Sequence, residues 1–121
     1  EVACGAGPGL GLLARTAKSV AAGDITPALV EAVRKHYGER VGVSVMDAQS
    51  LPFPDASLDI VILFEALYYL PDPARFAAEV RRVLRKGGSL LICNANKDMA
   101  DFNPSPFTHT YHGVVELGEL R

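Results

Sequence analysis

Three carboxylates and a run of glycines are the residues in this sequence whose types and spacing could do chemistry. The glycines fall in the opening stretch EVACGAGPGLG, where an apolar strand pattern over residues 1–4 breaks into Gly5, Gly7 and Gly9. A strand, a glycine turn and a helix in succession bring bare backbone and the positive end of a helix close to a ligand. The glycines admit unusual backbone angles and remove side chains that would hold that ligand away. Asp24 follows at the end of the second apolar run. A carboxylate there can accept both hydroxyls of a ribose, and the alternative is a plain neighbour of a helix cap. Asp47 and Glu65 close the third and fourth apolar runs in the same way.

The elements that must position these groups alternate in type. Residues 1–4, 19–22, 41–46 (VGVSVM), 58–64 (LDIVILF) and 89–94 (SLLICN) read as strands. Helical patterns fill the gaps at 9–17, at 26–38 and at 73–86. In the second of these, Thr26 is expected to cap, Pro27 to start and Gly38 to stop the helix. In the third, Phe76, Val80, Val83 and Leu84 form one stripe, with Gly87-Gly88 expected to end it. Two prolines flanking Phe53 make residues 51–57 a loop. NPSP breaks the chain near residue 105, and residues 114–120 are expected to begin one more helix.

Five strands alternating with helices predict an α/β fold: a parallel sheet with helices on both faces, because parallel neighbours need crossover connections. The run 58–64 is apolar on both faces, as a central parallel strand must be. A doubly wound, three-layer α/β/α sheet of this kind has strand order 3-2-1-4-5, with its ligand crevice at the carboxyl ends of strands 1 and 4. The glycine turn lies at that crevice.

Two cofactor classes use such a turn. A dinucleotide site wants G-x-G-x-x-G, and here the third glycine would fall on Leu10 or Leu12. Neither register fits. The pattern that fits is acid-x-small-x-Gly-x-Gly, given by Glu1, Ala3, Gly5 and Gly7. It resembles the first motif of the class I S-adenosylmethionine-dependent methyltransferases, with Ala3 standing where that family usually has glycine. The stretches VAAGDITPALVEAVR, MDAQSLPFPDASLD and ILFEALYYLPDPARF follow in the order the family has them, so the resemblance runs from residue 1 to about residue 98.

The resemblance implies a Rossmann-like fold and S-adenosyl-L-methionine as cofactor, with S-adenosyl-L-homocysteine as product. It puts the methionine part of the cofactor over the loop of Glu1, Ala3, Gly5, Ala6 and Gly7. The ribose then meets Asp24 beside Ile25, and the adenine edge meets the carboxylate of Asp47 and the N–H of Ala48. Phe64 lies next to the site, while Asp55 and Asp59 are read as structural. The family's Glu-His pair after strand 4 is replaced by Tyr68-Tyr69. A phenol with an ordinary pKa of about 10 is a poor base at neutral pH, though a good wall for a sulfonium.

A general base is needed only for a hydroxyl acceptor. The candidates are Glu65 at the crevice and His109 and His112 in FTHTYHG, although a loop histidine is more often a surface residue. The 121 residues carry a net charge of -2, which gives no attraction to nucleic acid or an anionic membrane and favours a small-molecule, lipid or glycan acceptor. Runs such as IVILF are too short to span a bilayer, so a cytoplasmic location is expected. The two cysteines, Cys4 and Cys93, are read as small buried hydrophobes, too few and too far apart for a metal site.

We expect a single domain over residues 1–121, the central part of a longer protein cut inside its first strand and lacking the family's final strands. Strand 5 would then be an exposed edge, open to homodimer formation. Two other functions compete. A catalytically inactive cofactor-binding or interaction module is suggested by the replaced Glu-His pair. An NAD-dependent oxidoreductase is disfavoured by the missing third glycine and the lack of a Tyr-x-x-x-Lys arrangement.

Overall fold

The structure, a computed structural model, describes residues 1–94. Helix α1 (Leu10–Thr16) follows the glycine turn and leads to β1 (Ala21–Asp24). Helix α2 (Pro27–Tyr37), a short 3-10 turn (Gly38–Arg40) and β2 (Gly42–Val45) come next. After the 51–57 loop the chain forms β3 (Leu58–Phe64), a second 3-10 turn (Leu67–Tyr69), α3 (Pro73–Val83) and β4 (Leu84–Cys93).

β1 pairs in parallel with β2 from Ala21↔Gly42 to Asp24↔Val45, and β3 pairs in parallel with β4 as far as Phe64↔Cys93. The opening segment joins the two pairs, since Val2 bridges both Gly23 and Leu63 in parallel. Its backbone bonds are Val2 N–H to Ile62 O (2.9 Å), Cys4 N–H to Gly23 O (3.0 Å) and Gly23 N–H to Glu1 O (3.1 Å). Counting that segment as the first strand, the order is 3-2-1-4-5, as the alternation of runs predicts.

Each face of this sheet has its own core. On one, α1 and α2 bring Leu10 and Val33 against Cys4, Ala22 and Val41. On the other, α3 brings Phe76, Val80 and Val83 against Val2, Met46, Val61 and Leu63. Each such fully buried side chain contributes about 1.5–3 kcal/mol from apolar burial. The stripe read from residues 76, 80 and 83 is therefore the one that packs.

Four expectations need correction. Helix α3 stops at Val83 and not at the glycine pair, because Leu84 is already extended (φ -73°, ψ 136°). Gly87 and Gly88 instead lie where the β3–β4 register shifts between Leu58 and Ile60. Gly87 has φ 83°, and a Cβ on Gly88 would come 2.9 Å from the Asp59 carbonyl. The Thr26 side chain makes no capping bond; Asp24 accepts the Thr26 N–H in its place (2.9 Å). β3 is not buried on both faces, since Val61 and Leu63 are buried while Ile60 and Phe64 are more than half exposed. Cys4 is buried, and burial pushes its thiol pKa up, but Cys93 is exposed because β4 pairs on one side only among the described residues. The expected break near residue 105, the helix at 114–120 and any further strands lie outside the described residues.

Candidate functional site

The turn after the opening segment is built from left-handed backbone. Ala3, Gly5 and Gly7 have φ 54°, 53° and 74°. Gly7 is required by packing: a Cβ there would lie 2.8 Å from Leu10 Cδ1 and 3.3 Å from the Tyr37 ring. Its carbonyl accepts the Tyr37 hydroxyl (2.8 Å), and its N–H donates to Cys4 O (2.8 Å). Gly5 differs, because nothing stands within 4 Å of where its Cβ would be. One glycine locks the turn onto two helices and the other keeps space open.

Ala3 holds a conformation that costs an L-residue about 1–2 kcal/mol. It packs against the α3-side core, so the residue that replaces the family's glycine is engaged with the protein's own interior. Glu1 lies under the start of α1, its Oε2 3.4 Å from the Cβ position of Gly9, and burial holds its carboxyl above the ordinary range. Ala6 is exposed on the turn.

Asp24, only 7% exposed, is the buried charged residue among those described. Its Oδ2 accepts the Gly5 N–H and its Oδ1 the Thr26 N–H, both at 2.9 Å. The carboxylate thereby ties the glycine turn to the start of α2, and each oxygen keeps a second acceptor site. Ile25 beside it is 67% exposed. Met46 N–H donates to Asp24 O (3.1 Å), which sets Asp47 at the neighbouring strand end. Asp47 Oδ1 accepts the Gln49 N–H (2.8 Å) in a tight turn, with Ala48 buried inside it.

Two groups in this region were not singled out from the sequence. Gln49 Oε1 accepts the Asp72 N–H (2.8 Å), while Arg75 Nε donates to Gln49 O (2.9 Å). Arg82 donates to Glu79, Asp55 and the carbonyls of Leu51 and Phe53, all at 2.8–2.9 Å. Its hydrogen bonds hold the Glu79 carboxyl down at about 2, helped by the Leu51 N–H. The 51–57 loop is thus bound to α3. Asp55 and Asp59 pair with Arg82 and Arg85, in keeping with a structural reading of both.

At the end of β3, Phe64 is 53% exposed and Glu65 is left-handed (φ 51°). Glu65 N–H donates to Cys93 O (2.7 Å), and the Cys93 thiol lies 4.0 Å from Glu65 Oε1. Tyr68 and Tyr69 follow with ring centroids 4.5 Å apart. Burial, with a hydrogen bond to Tyr69, pushes the Tyr68 phenol up to about 12 and so further from base chemistry. His109 and His112 lie outside the described residues. Glycine turn, Asp24, Asp47 and Glu65 all stand at the carboxyl edge of the sheet, on consecutive strand ends. A groove of about 900 Å³ lies toward the opposite edge, lined by Thr16, Lys18, Asp59, Ile60 and Arg85 among others.

Comparison with known proteins places this architecture. The methyltransferase domain family matches residues 1–92. A probable S-adenosylmethionine-dependent methyltransferase of Mycolicibacterium smegmatis is 37% identical over 126 residues, covering 99% of this chain and 48% of that protein. A phthiotriol/phenolphthiotriol dimycocerosates methyltransferase of Mycobacterium leprae is 38% identical over 109 residues, covering 87% and 37%. Among solved structures, a putative methyltransferase from Bacillus halodurans superposes with a TM-score of 0.80 at 28% identity, over 98% of this chain and 56% of that one. The chain spans about half or less of the length of these relatives. By family match, sequence identity and fold alike, it belongs to the methyltransferase domain family, with the Rossmann-like α/β core and the S-adenosyl-L-methionine cofactor which that membership implies.

Proposed function

We propose that the protein transfers a methyl group from S-adenosyl-L-methionine to a small-molecule acceptor, with lipids and glycans the favoured classes. The similarity to a phthiotriol/phenolphthiotriol dimycocerosates methyltransferase of Mycobacterium leprae supports the lipid among them. The observation that carries the reading is the pairing of Gly5 with Asp24. Gly5 leaves open space beside left-handed backbone, and the buried Asp24 carboxylate holds that backbone while keeping acceptor sites for ribose hydroxyls.

The residues at the carboxyl edge fit an adenosyl cofactor. Ala3, Gly5, Ala6 and Gly7 form the loop under its methionine part, with Glu1 behind that loop beneath α1, where it also borders the groove toward the opposite edge. Ile25 offers an exposed apolar surface beside the ribose carboxylate. Asp47 and the Ala48 N–H match the donor and acceptor of an adenine edge, and the half-exposed Phe64 closes the side toward β3. The cofactor supplies an electrophilic methyl group. The protein's part is to hold the acceptor's nucleophile in line with it and to exclude water. Glu65, His109 and His112 are the groups proposed to take a proton from a hydroxyl acceptor.

The reading takes residues 1–121 as one domain in the cytoplasm, acting without nucleic acid or membrane partners. No helix among the described residues is long and apolar enough to cross a membrane. A homodimer would form through the edge of β4. Calorimetric titration with S-adenosylhomocysteine and, in parallel, with NAD tests the core of the proposal. Micromolar binding of the homocysteine compound alone, weakened in Asp24→Ala, is expected. Binding of NAD instead, or of neither, would overturn it.

A further inference from the structure

We propose that Glu65 is the residue by which the crevice distinguishes the positively charged cofactor from its uncharged product. The inference rests on the methyltransferase reading above and adds to it a determinant of charge specificity. Three carboxylates stand at the carboxyl edge, and two are committed to backbone. Asp24 accepts the Gly5 and Thr26 N–H groups, and Asp47 accepts the Gln49 N–H. Among the described residues the Glu65 carboxylate has a thiol at 4.0 Å as its hydrogen-bonding partner, a weak one, with the Tyr68 phenol in electrostatic reach.

Its placement is held by backbone and not by its own charge. Val2 of the opening segment bridges Leu63, two residues before Glu65, so β3 leaves the sheet beside the strand that carries the glycine turn. The chain turns there through left-handed backbone (φ 51°), fixed by the 2.7 Å bond from Glu65 N–H to Cys93 O. Ala3, on the adjacent strand, leaves the sheet through the same unusual conformation (φ 54°). Two neighbouring strands thus keep a left-handed non-glycine residue at the mouth of one crevice. Strain of this kind clusters at ligand sites. Ala56 in the 51–57 loop shares it away from the crevice (φ 48°), so what counts is where Glu65 stands and not the angle alone. Phe64 and Tyr69 are each about half exposed, and the Tyr68 phenol lies close enough to feel the Glu65 charge.

Charge is what such a group can read. Methyl transfer leaves the carbon–sulfur bonding pair on sulfur, so the sulfonium's positive charge is gone from the product. The acceptor gains the methyl group, and a hydroxyl acceptor gives up its proton to one of the bases proposed above and through it to solvent. A carboxylate with no cationic partner among the described residues favours the ligand before transfer over the ligand after it, and so lowers product retention. With the carboxylate partly exposed, the preference is screened to about three- to tenfold in affinity.

Titration of the protein and of Glu65→Gln with S-adenosylmethionine and with S-adenosylhomocysteine, at low and high salt, tests this. The variant should bind S-adenosylmethionine about three- to tenfold more weakly and the product within about twofold of wild type, with the difference shrinking at high salt. Cys93→Ser should leave the ratio of the two affinities in place. Equal weakening of both ligands would mean that Glu65 only shapes the crevice, and no change in either would place it away from the sulfonium; both overturn the inference. Glu65→Ala, checked for folding by circular dichroism, must shift the ratio in the same direction. If wild type binds neither ligand, the methyltransferase reading itself has failed and takes this inference with it.

Discussion

Val2 has one neighbouring strand that ends in Asp24 and another that runs into Glu65, and the two carboxylates meet different surroundings. Asp24 is buried, with both oxygens bonded to backbone N–H groups of two separate segments. Glu65 is less buried, and among the described residues its carboxylate meets a distant thiol and the nearby Tyr68 phenol. The same chemical group at corresponding places in one sheet therefore does two jobs. Where the backbone leaves unpaired N–H groups to be satisfied, a carboxylate becomes framework. Where backbone groups already satisfy one another, as Glu65 N–H and Cys93 O do, it is not needed for that task, and is proposed above to meet a ligand instead.

The largest effect should come from removing the framework acid. Asp24→Ala leaves two backbone N–H groups without acceptors near a buried site, and a loss of about 3 kcal/mol in unfolding free energy is expected, measured by urea denaturation. Glu65→Gln should cost less than about 0.5 kcal/mol in the same assay. Equal costs at the two positions would erase the contrast.

Glycine substitutions sharpen it next. Gly7→Ala meets Leu10 at 2.8 Å in left-handed backbone and should cost about 2 kcal/mol, seen as a lower unfolding midpoint. Gly5→Ala carries the backbone strain alone, about 1 kcal/mol, yet should weaken S-adenosylhomocysteine binding more than Gly7→Ala does. If Gly7→Ala instead proves the milder change in stability, the division between a packing glycine and a ligand-facing one is wrong.

The Glu79–Arg82 pair predicts a smaller, pH-dependent effect. Glu79 has its pKa lowered from 4.5 to about 2 in the folded chain, so its stabilising contribution is complete above the unfolded value. That contribution is lost as pH falls from about 4.5 toward 2. Thermal melts across that range should show a declining midpoint, and Arg82→Met should flatten the part of the slope owed to this pair. An unchanged slope in Arg82→Met would show that the clamp on the 51–57 loop is energetically silent. Smallest of all is Ala3→Gly, expected within about 1 kcal/mol of wild type, because relief of left-handed strain opposes the lost methyl packing.

Much of this arrangement was legible in the residues. The run 58–64 becomes β3 with the predicted bounds, since its apolar residues are closed off by loop chemistry on one side and Glu65 on the other. Pro27 and Gly38 frame α2 as expected, with Gly38 at φ 58°. The carboxyl-edge placement of Asp24, Asp47 and Glu65 followed from strand order alone. What could not be read depends on contacts between distant segments. Gly87-Gly88 suits a helix stop as well as a bulge, and the Asp59 carbonyl that decides between them is far away in the chain. Nothing in the sequence separates Arg82 from the other charges of its helix, because the carbonyls of Leu51 and Phe53 that it binds have no side-chain signature. The left-handed angles of Ala3 and Glu65 belong to residues that give no glycine to announce them.

The most direct test of the account is to map where the cofactor product binds, by following backbone amide resonances as S-adenosylhomocysteine is added. Shifts concentrated at Gly5, Gly7, Ile25 and Ala48, with smaller ones at Glu65, would place the ligand at the carboxyl edge as proposed. Shifts concentrated instead at Thr16, Lys18 and Ile60, around the groove of about 900 Å³ toward the other edge of the sheet, would contradict it.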